Sequence, residues 1–144
     1  MKRNAALRHL SIDHHHGLAL ARKAKSTAEA SQDDSGLETI WAELESHVHA
    51  VLKPHFEIEE TILATALGAL NDPQINLLIE RLYQEHTQIL DLLSCNHPRS
   101  ARHLKQVGEL LTRHIRFEER VLFEIAQEKL DSQALEVIAK ACKH

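Results

Sequence analysis

Two stretches of this 144-residue chain repeat one chemical pattern: His55-Phe56-Glu57-Ile58-Glu59-Glu60 and His114-Ile115-Arg116-Phe117-Glu118-Glu119. In each, a Glu follows a His by four positions, and on an α-helix such residues lie on one face, one turn apart. Neutral imidazole and carboxylate are both good ligands for iron, manganese and zinc. Two such pairs can point at a common centre.

Whether they point inward is read from the apolar residues around them. Trp41, Leu44, Val48, Leu52, Ile62 and Leu63 form one stripe at helical spacing, with His55 and Glu59 inside it; Leu104, Val107, Leu111, Val121, Leu122 and Ile125 form a second, containing His114 and Glu118. Glu60 falls on the opposite face and Glu119 outside its stripe, so Glu60 is expected to be dispensable for a metal. Burying an imidazole and a carboxylate without partners costs several kcal/mol each. Buried ion-pair networks are the alternative to a metal, and the duplication weighs against them.

The elements that must position these residues follow from composition and punctuation. Only 4 Gly and 3 Pro, with abundant Leu, Ala and Glu, read as all-α, and 144 residues read as one domain, 1–144. A net charge of -4 with acids and bases interleaved leaves no basic face for nucleic acid. Cys95 and Cys142 lack metal-type spacing and read as reduced thiols. No apolar run is long enough to span a bilayer and no signal peptide follows Lys2-Arg3, so no membrane partner and a soluble, cytoplasmic location are expected. Twelve histidines are the outlying figure.

A first helix is expected from about Asn4 to Ala30, then a polar loop at Ser31–Gly36. A second runs from about Leu37 to Leu67, with a bend near Pro54. Asp72-Pro73 caps a third, to about Ser94. After Cys95-Asn96-His97-Pro98 a fourth runs from about Arg99 to Glu128, and Asp131-Ser132 opens a short fifth. Four amphipathic helices with short connections pack as an up-down-up-down four-helix bundle with a short C-terminal fifth helix.

The other two helices supply the remaining candidates. On the third, His86 lies among Ile75, Leu78, Ile79, Leu82, Ile89, Leu90 and Leu93. On the first, His14 continues the stripe of Leu7, Leu10, Leu18 and Ala21, with His15 the fallback; His9 and Asp13 lie off it and are expected to face solvent. His47, His49, His97, His103 and His144 read as surface residues. The candidate set is His14, His55, Glu59, His86, His114 and Glu118. Two metals about 3.5–4 Å apart, bridged by both carboxylates, suit its symmetry better than one.

On these residues the chain resembles the hemerythrin-like family of His/His/Glu cation-binding domains, through Asp13-His14-His15 with Leu18, His55 to Glu60, Glu85-His86, and His114 to Glu119 with Leu122-Phe123. The resemblance covers nearly the whole chain. It implies an up-down bundle holding two non-haem iron ions with oxo or hydroxo bridging, although zinc and manganese accept the same ligand types; myohemerythrin is a known example of such a bundle. It also implies a small oxidant as ligand: dioxygen, peroxide or nitric oxide. The oxygen carriers have two histidines four apart on the third helix, where Leu82 here precedes His86. One imidazole fewer favours reactive chemistry, iron or oxygen sensing through a partner, or iron–sulfur centre repair over oxygen carriage. Glu85 and Glu119 are candidates to orient the imidazoles.

Overall fold

The computed structural model describes residues 2–30, 34–94 and 97–142, and these are helical with no strand. Helix α1 is Arg8–Ala30, entered through a single 3-10 turn, Ala5–Leu7, which Asn4 caps by accepting from the Ala6 amide at 2.8 Å. Helix α2 runs without interruption over 34–68. It is α-helical at Asp34–His47, Lys53–Ile58 and Ala64–Gly68 and opens into π turns at Val48–Leu52 and Glu59–Leu63. Helix α3 is Pro73–Leu92, with Asp72 accepting from Gln74 N at 2.9 Å and Pro73 at the start, where a missing N–H costs nothing. Helix α4 covers 101–129 with a π turn at Glu118–Leu122, and α5 is Ser132–Ala141, capped by Asp131.

Two local expectations are corrected. Of the polar stretch Ser31–Gly36, residues 31–33 lie outside the described residues, and helix α2 already includes Asp34, Ser35 and Gly36. Residue types that favour loops also favour a first helical turn. As the expected span requires, the helix runs through Pro54. The ring removes an N–H and crowds the carbonyl four residues back, and the π turn at Val48–Leu52 widens the backbone there, with Lys53 N–H reaching Val48 O. Finally, Val121 is 37% exposed, because the π turn at Glu118–Leu122 inserts a residue and shifts the phase beyond it.

Helix α1 packs along α4 over most of its length, and contacts between α1 and α2, α2 and α3, and α3 and α4 close the ring of four; α5 covers the end near Ala5–Leu7 and Glu59–Leu63. The interior divides into two apolar layers. One is built on Ala21, Trp41, Leu44, Leu52, Phe56, Ile89, Leu111 and Ile115, the other on Leu7, Leu10, Leu63, Leu82, Leu122, Phe123 and Ile138. Each helix therefore passes from one apolar layer to the other. On all four, the residues between the layers are the histidines and glutamates singled out above. The turn from α2 to α3 is closed by Asn71 at φ 55°, a left-handed conformation that Asn tolerates.

Candidate metal centre

Between the layers His14, His55, Glu59, His86, His114 and Glu118 are all buried, none more than 5% exposed. His14 enters from α1, His55 and Glu59 from α2, His86 from α3, and His114 and Glu118 from α4. Helix α1 decides between its neighbouring histidines, since His15 and His16 are exposed.

The Nε2 atoms converge on the two carboxylates. Glu118 Oε1 lies 2.8 Å from His14 Nε2 and 3.6 Å from His55 Nε2, while Glu118 Oε2 lies 2.5 Å from His114 Nε2 and 3.4 Å from His86 Nε2. Glu59 places Oε2 3.0 Å from His55 Nε2 and Oε1 3.1 Å from His86 Nε2. Two groups of ligand atoms result, each within 4.8 Å: His14, His55, Glu59 and Glu118, and Glu59, His86, His114 and Glu118. Both glutamates belong to both groups.

Each imidazole is held from behind by a carboxylate. His14 Nδ1 lies 2.5 Å from Glu119 Oε2, His55 Nδ1 3.0 Å from Asp13 Oδ2, His86 Nδ1 2.7 Å from Glu60 Oε2 and His114 Nδ1 2.7 Å from Glu85 Oε1. An ionised carboxylate only accepts, so each Nδ1 carries a proton, and in a neutral ring the Nε2 lone pair is aimed at the centre. These acids have supports of their own. Ser11 Oγ donates to Glu119 at 2.8 Å and Arg3 reaches it at 3.3 Å, while Arg81 Nε donates to Glu85 at 2.9 Å.

The electrostatics show what such an arrangement lacks. Burial opposes charge on His114, yet Glu118 beside it and Glu85 behind it push its pKa up to about 10. His86 is likewise opposed by burial but raised to about 9 by Glu118 and Glu59. His14 and His55 shift upward against burial, chiefly through Glu118 and Glu59 respectively. Burial would raise Glu118, but the surrounding imidazoles hold it well below the usual carboxylate range. A negative centre thus draws positive charge to itself.

Protons do not satisfy it geometrically. Both Glu59 oxygens, Glu118 Oε1 and His114 Nε2 are buried without a hydrogen-bond partner among the described residues, despite the short separations. Orphaned lone pairs of this kind are costly. A bound cation would give such atoms a partner, and imidazole with carboxylate is a donor set for iron, manganese or zinc. The six residues fit such a group.

Beside the cluster is a cavity of about 10 Å³, lined by His14, His55, Asp13, Gly17, Phe56 and Ile115 among others. That is near the minimum needed to hold one water-sized molecule. The aromatic rings are packed into the site, with Phe56 stacked on His86 at 3.7 Å and Phe123 on His14 at 5.2 Å between centroids.

Three residues depart from the sequence expectations. Asp13 does not simply face solvent, because it holds His55. Glu60 lies off the inward face as expected yet is the acceptor for His86, so it is not expected to be dispensable. His47 is not a surface residue throughout, since its Nε2 is buried. His9 is exposed, and His144 lies outside the described residues. A usable signal did exist for Asp13, because it precedes His14 and lies one turn after His9 on a helix whose polar edge borders α2.

No helix among the described residues is long and apolar enough to cross a membrane. No curated protein and no solved structure matches the chain significantly. The family model for the hemerythrin HHE cation binding domain matches residues 6–126, a span that contains every residue of the cluster and the four carboxylates behind it, and the chain belongs to that family.

Proposed function

We propose that the chain is a non-haem di-iron protein that binds or reacts with a small oxidant, dioxygen, peroxide or nitric oxide, at a carboxylate-bridged site in the bundle core. The observation that carries this reading is the membership of Glu59 and Glu118 in both ligand groups. A single metal would leave half of the imidazoles without one. Two metals use each histidine once and each carboxylate twice.

Iron, when bound, would supply the change of oxidation state that the chemistry needs. The chain's own contribution is orientation and exclusion. Glu119, Asp13, Glu60 and Glu85 fix the four rings and their tautomers. The apolar layers keep bulk water from both sides of the polar slab. Gly17, Leu52, Leu111 and Ile115 leave room beside His14 and His55 for one water-sized group. Leu82 is fully buried in the second layer one turn before His86, so α3 offers one imidazole.

A sensing role is supported by a separate observation. Six buried polar residues, three of them with orphaned atoms, strain the metal-free core, so occupancy would be reported as stability of the whole bundle to a partner protein.

Metal content after anaerobic ferrous loading, with absorption spectra reduced, in air and after peroxide or nitric oxide, tests the proposal. About two irons per chain, with near-ultraviolet bands that respond to one of these molecules, is the expected result. One zinc, or no metal, with no spectral response would overturn it.

A further inference from the structure

Two arginines lie behind the orienting carboxylates, and they are placed alike. Arg3 Nη2 donates to Glu119 Oε1 at 3.3 Å and to the Glu119 carbonyl at 2.8 Å, and its guanidinium stands 5.6 Å from the centre of the Phe123 ring. Glu119 holds His14, and Phe123 is stacked on the same imidazole. Arg81 Nε donates to Glu85 at 2.9 Å, and its guanidinium stands 4.0 Å from the centre of the Phe117 ring. Glu85 holds His114, and Phe117 lies tilted against it at 6.4 Å between centroids. Each arginine thus reaches one histidine by two routes, a carboxylate and a phenyl ring.

The other two rings are held differently. Among the described residues, neither Asp13 behind His55 nor Glu60 behind His86 pairs with an arginine or a lysine. Each ligand group therefore contains one arginine-backed imidazole, His14 or His114, beside one that is not, His55 or His86. The two arginines also differ in depth. The Arg3 side chain is 18% exposed, and its Nη1 donates to Gln127 Oε1 at 3.1 Å, an oxygen that also accepts from the Asn4 amide at 2.6 Å. Arg81 is 49% exposed and four residues from Glu85 on one helix, where an ion pair contributes little. Arg3, Asn4 and Gln127 lie outside residues 6–126, so this fastening is no part of the matched domain.

We infer that Arg3 is a positioning residue for the metal centre, fixing the Glu119 carboxylate and with it the His14 ring, and that Arg81 is its weaker counterpart at Glu85 and His114. The inference rests on the metal-centre reading for what the two rings face. A guanidinium suits the task because its donors form a rigid planar fork. Here one arm spans the backbone and side-chain oxygens of Glu119 while the other holds Gln127. The Glu119 side chain is 27% exposed, so without Arg3 it has water to turn to.

A double-mutant cycle on the full chain tests this, with zinc affinity measured by chelator competition at one neutral pH for wild type, Arg3→Met, Glu119→Ala and the pair. Arg3→Met should weaken zinc about fivefold when Glu119 is present and less than about 1.5-fold once it is Ala, because the arginine then has no carboxylate to hold. Loss of a cation near the site would by charge alone strengthen zinc binding, so the sign separates positioning from simple electrostatics. Arg3→Lys, which keeps the charge without the fork, should recover part of the loss, and Arg81→Met should cost no more than about twofold. In the zinc-loaded chain, 15N–1H spectra should show the His14 Nδ1 proton exchanging faster with solvent in Arg3→Met and that of His55 unchanged. Undiminished zinc affinity in Arg3→Met would overturn the inference. Equal weakening with and without Glu119 would also overturn it, since that marks a structural fastening of the N-terminal segment. If circular dichroism shows that Arg3→Met does not fold, the same cycle with Arg3→Lys decides. A wild-type chain that takes up neither zinc nor ferrous iron would overturn the centre itself and the inference with it.

Discussion

Replacing Glu60 with Ala removes the acceptor 2.7 Å from His86 Nδ1 and leaves a ring that is 2% exposed without its outer partner. Acids in this position typically contribute 10–100-fold in metal affinity, about 1.4–2.7 kcal/mol at 1.36 kcal/mol per tenfold. The Glu60 side chain is 32% exposed, so water can enter behind the ring in the variant and accept from Nδ1 in its place. The expected loss is therefore at the lower end, about tenfold or about 1.4 kcal/mol. Glu60→Gln keeps an acceptor oxygen and should lose less. Glu57→Ala removes the same charge from an exposed position on the same helix and should change affinity by no more than about twofold. Competition against a chelator of known affinity, at one neutral pH, measures all three. Equal affinities for Glu60→Ala and wild type would refute the argument that the outer carboxylates hold the rings. Equal losses from Glu60→Ala and Glu57→Ala would show that only net charge matters.

Other outcomes follow from the same geometry. Glu118→Ala removes a carboxylate shared by both ligand groups, so bound metal per chain should fall by more than half and thermal stabilisation by added metal should largely vanish, as seen by metal analysis and calorimetry. In the metal-free chain, the raised His86 and His114 values, about 9 and about 10, mean that charged rings stabilise the fold fully below pH about 6.5. That contribution should be lost as pH rises through 9 to 10, giving a falling thermal midpoint that metal-loaded protein does not share. Gly108→Ala should destabilise by about 1–3 kcal/mol in urea unfolding, against the usual gain for Ala within a helix, because its Cβ would meet the Ala21 carbonyl oxygen at 2.9 Å and Lys25 Cγ at 2.6 Å.

The inward set was legible because burial and periodicity agree over whole turns. His14 was separable from His15, and His86 stood out on α3, since each continues an apolar stripe that crosses the bundle. The caps at Asp72 and Asp131 could be read from residue type, the first with the Pro that follows. The outer partners were harder for a physical reason. Asp13 and Glu60 sit at the edge of a helix face, where the same residue can meet solvent or the back of a neighbour's imidazole, and the choice depends on interhelical distance. The exposure of Val121 was hidden by a change of helical pitch that no single residue announces.

That change of pitch explains why the glutamates come in pairs. Glu59 N–H donates to the carbonyls of both His55 and Phe56, and Glu59 O accepts from Ala64 five residues on; Glu118 N–H donates to His114 and Ile115, and its carbonyl accepts from Phe123. The two sites are the same backbone device used twice. A wider turn reduces the angle between successive residues, so consecutive side chains can serve one region instead of diverging. Glu59 then faces the centre while Glu60 reaches the back of His86 on α3, and Glu118 faces the centre while Glu119 reaches the back of His14 on α1. Each of these two π turns thereby supplies a carboxylate shared by both ligand groups and an orienting carboxylate to a neighbouring helix. The doubled Glu is a functional unit whose second member looks, on an ideal α-helix, as if it points away.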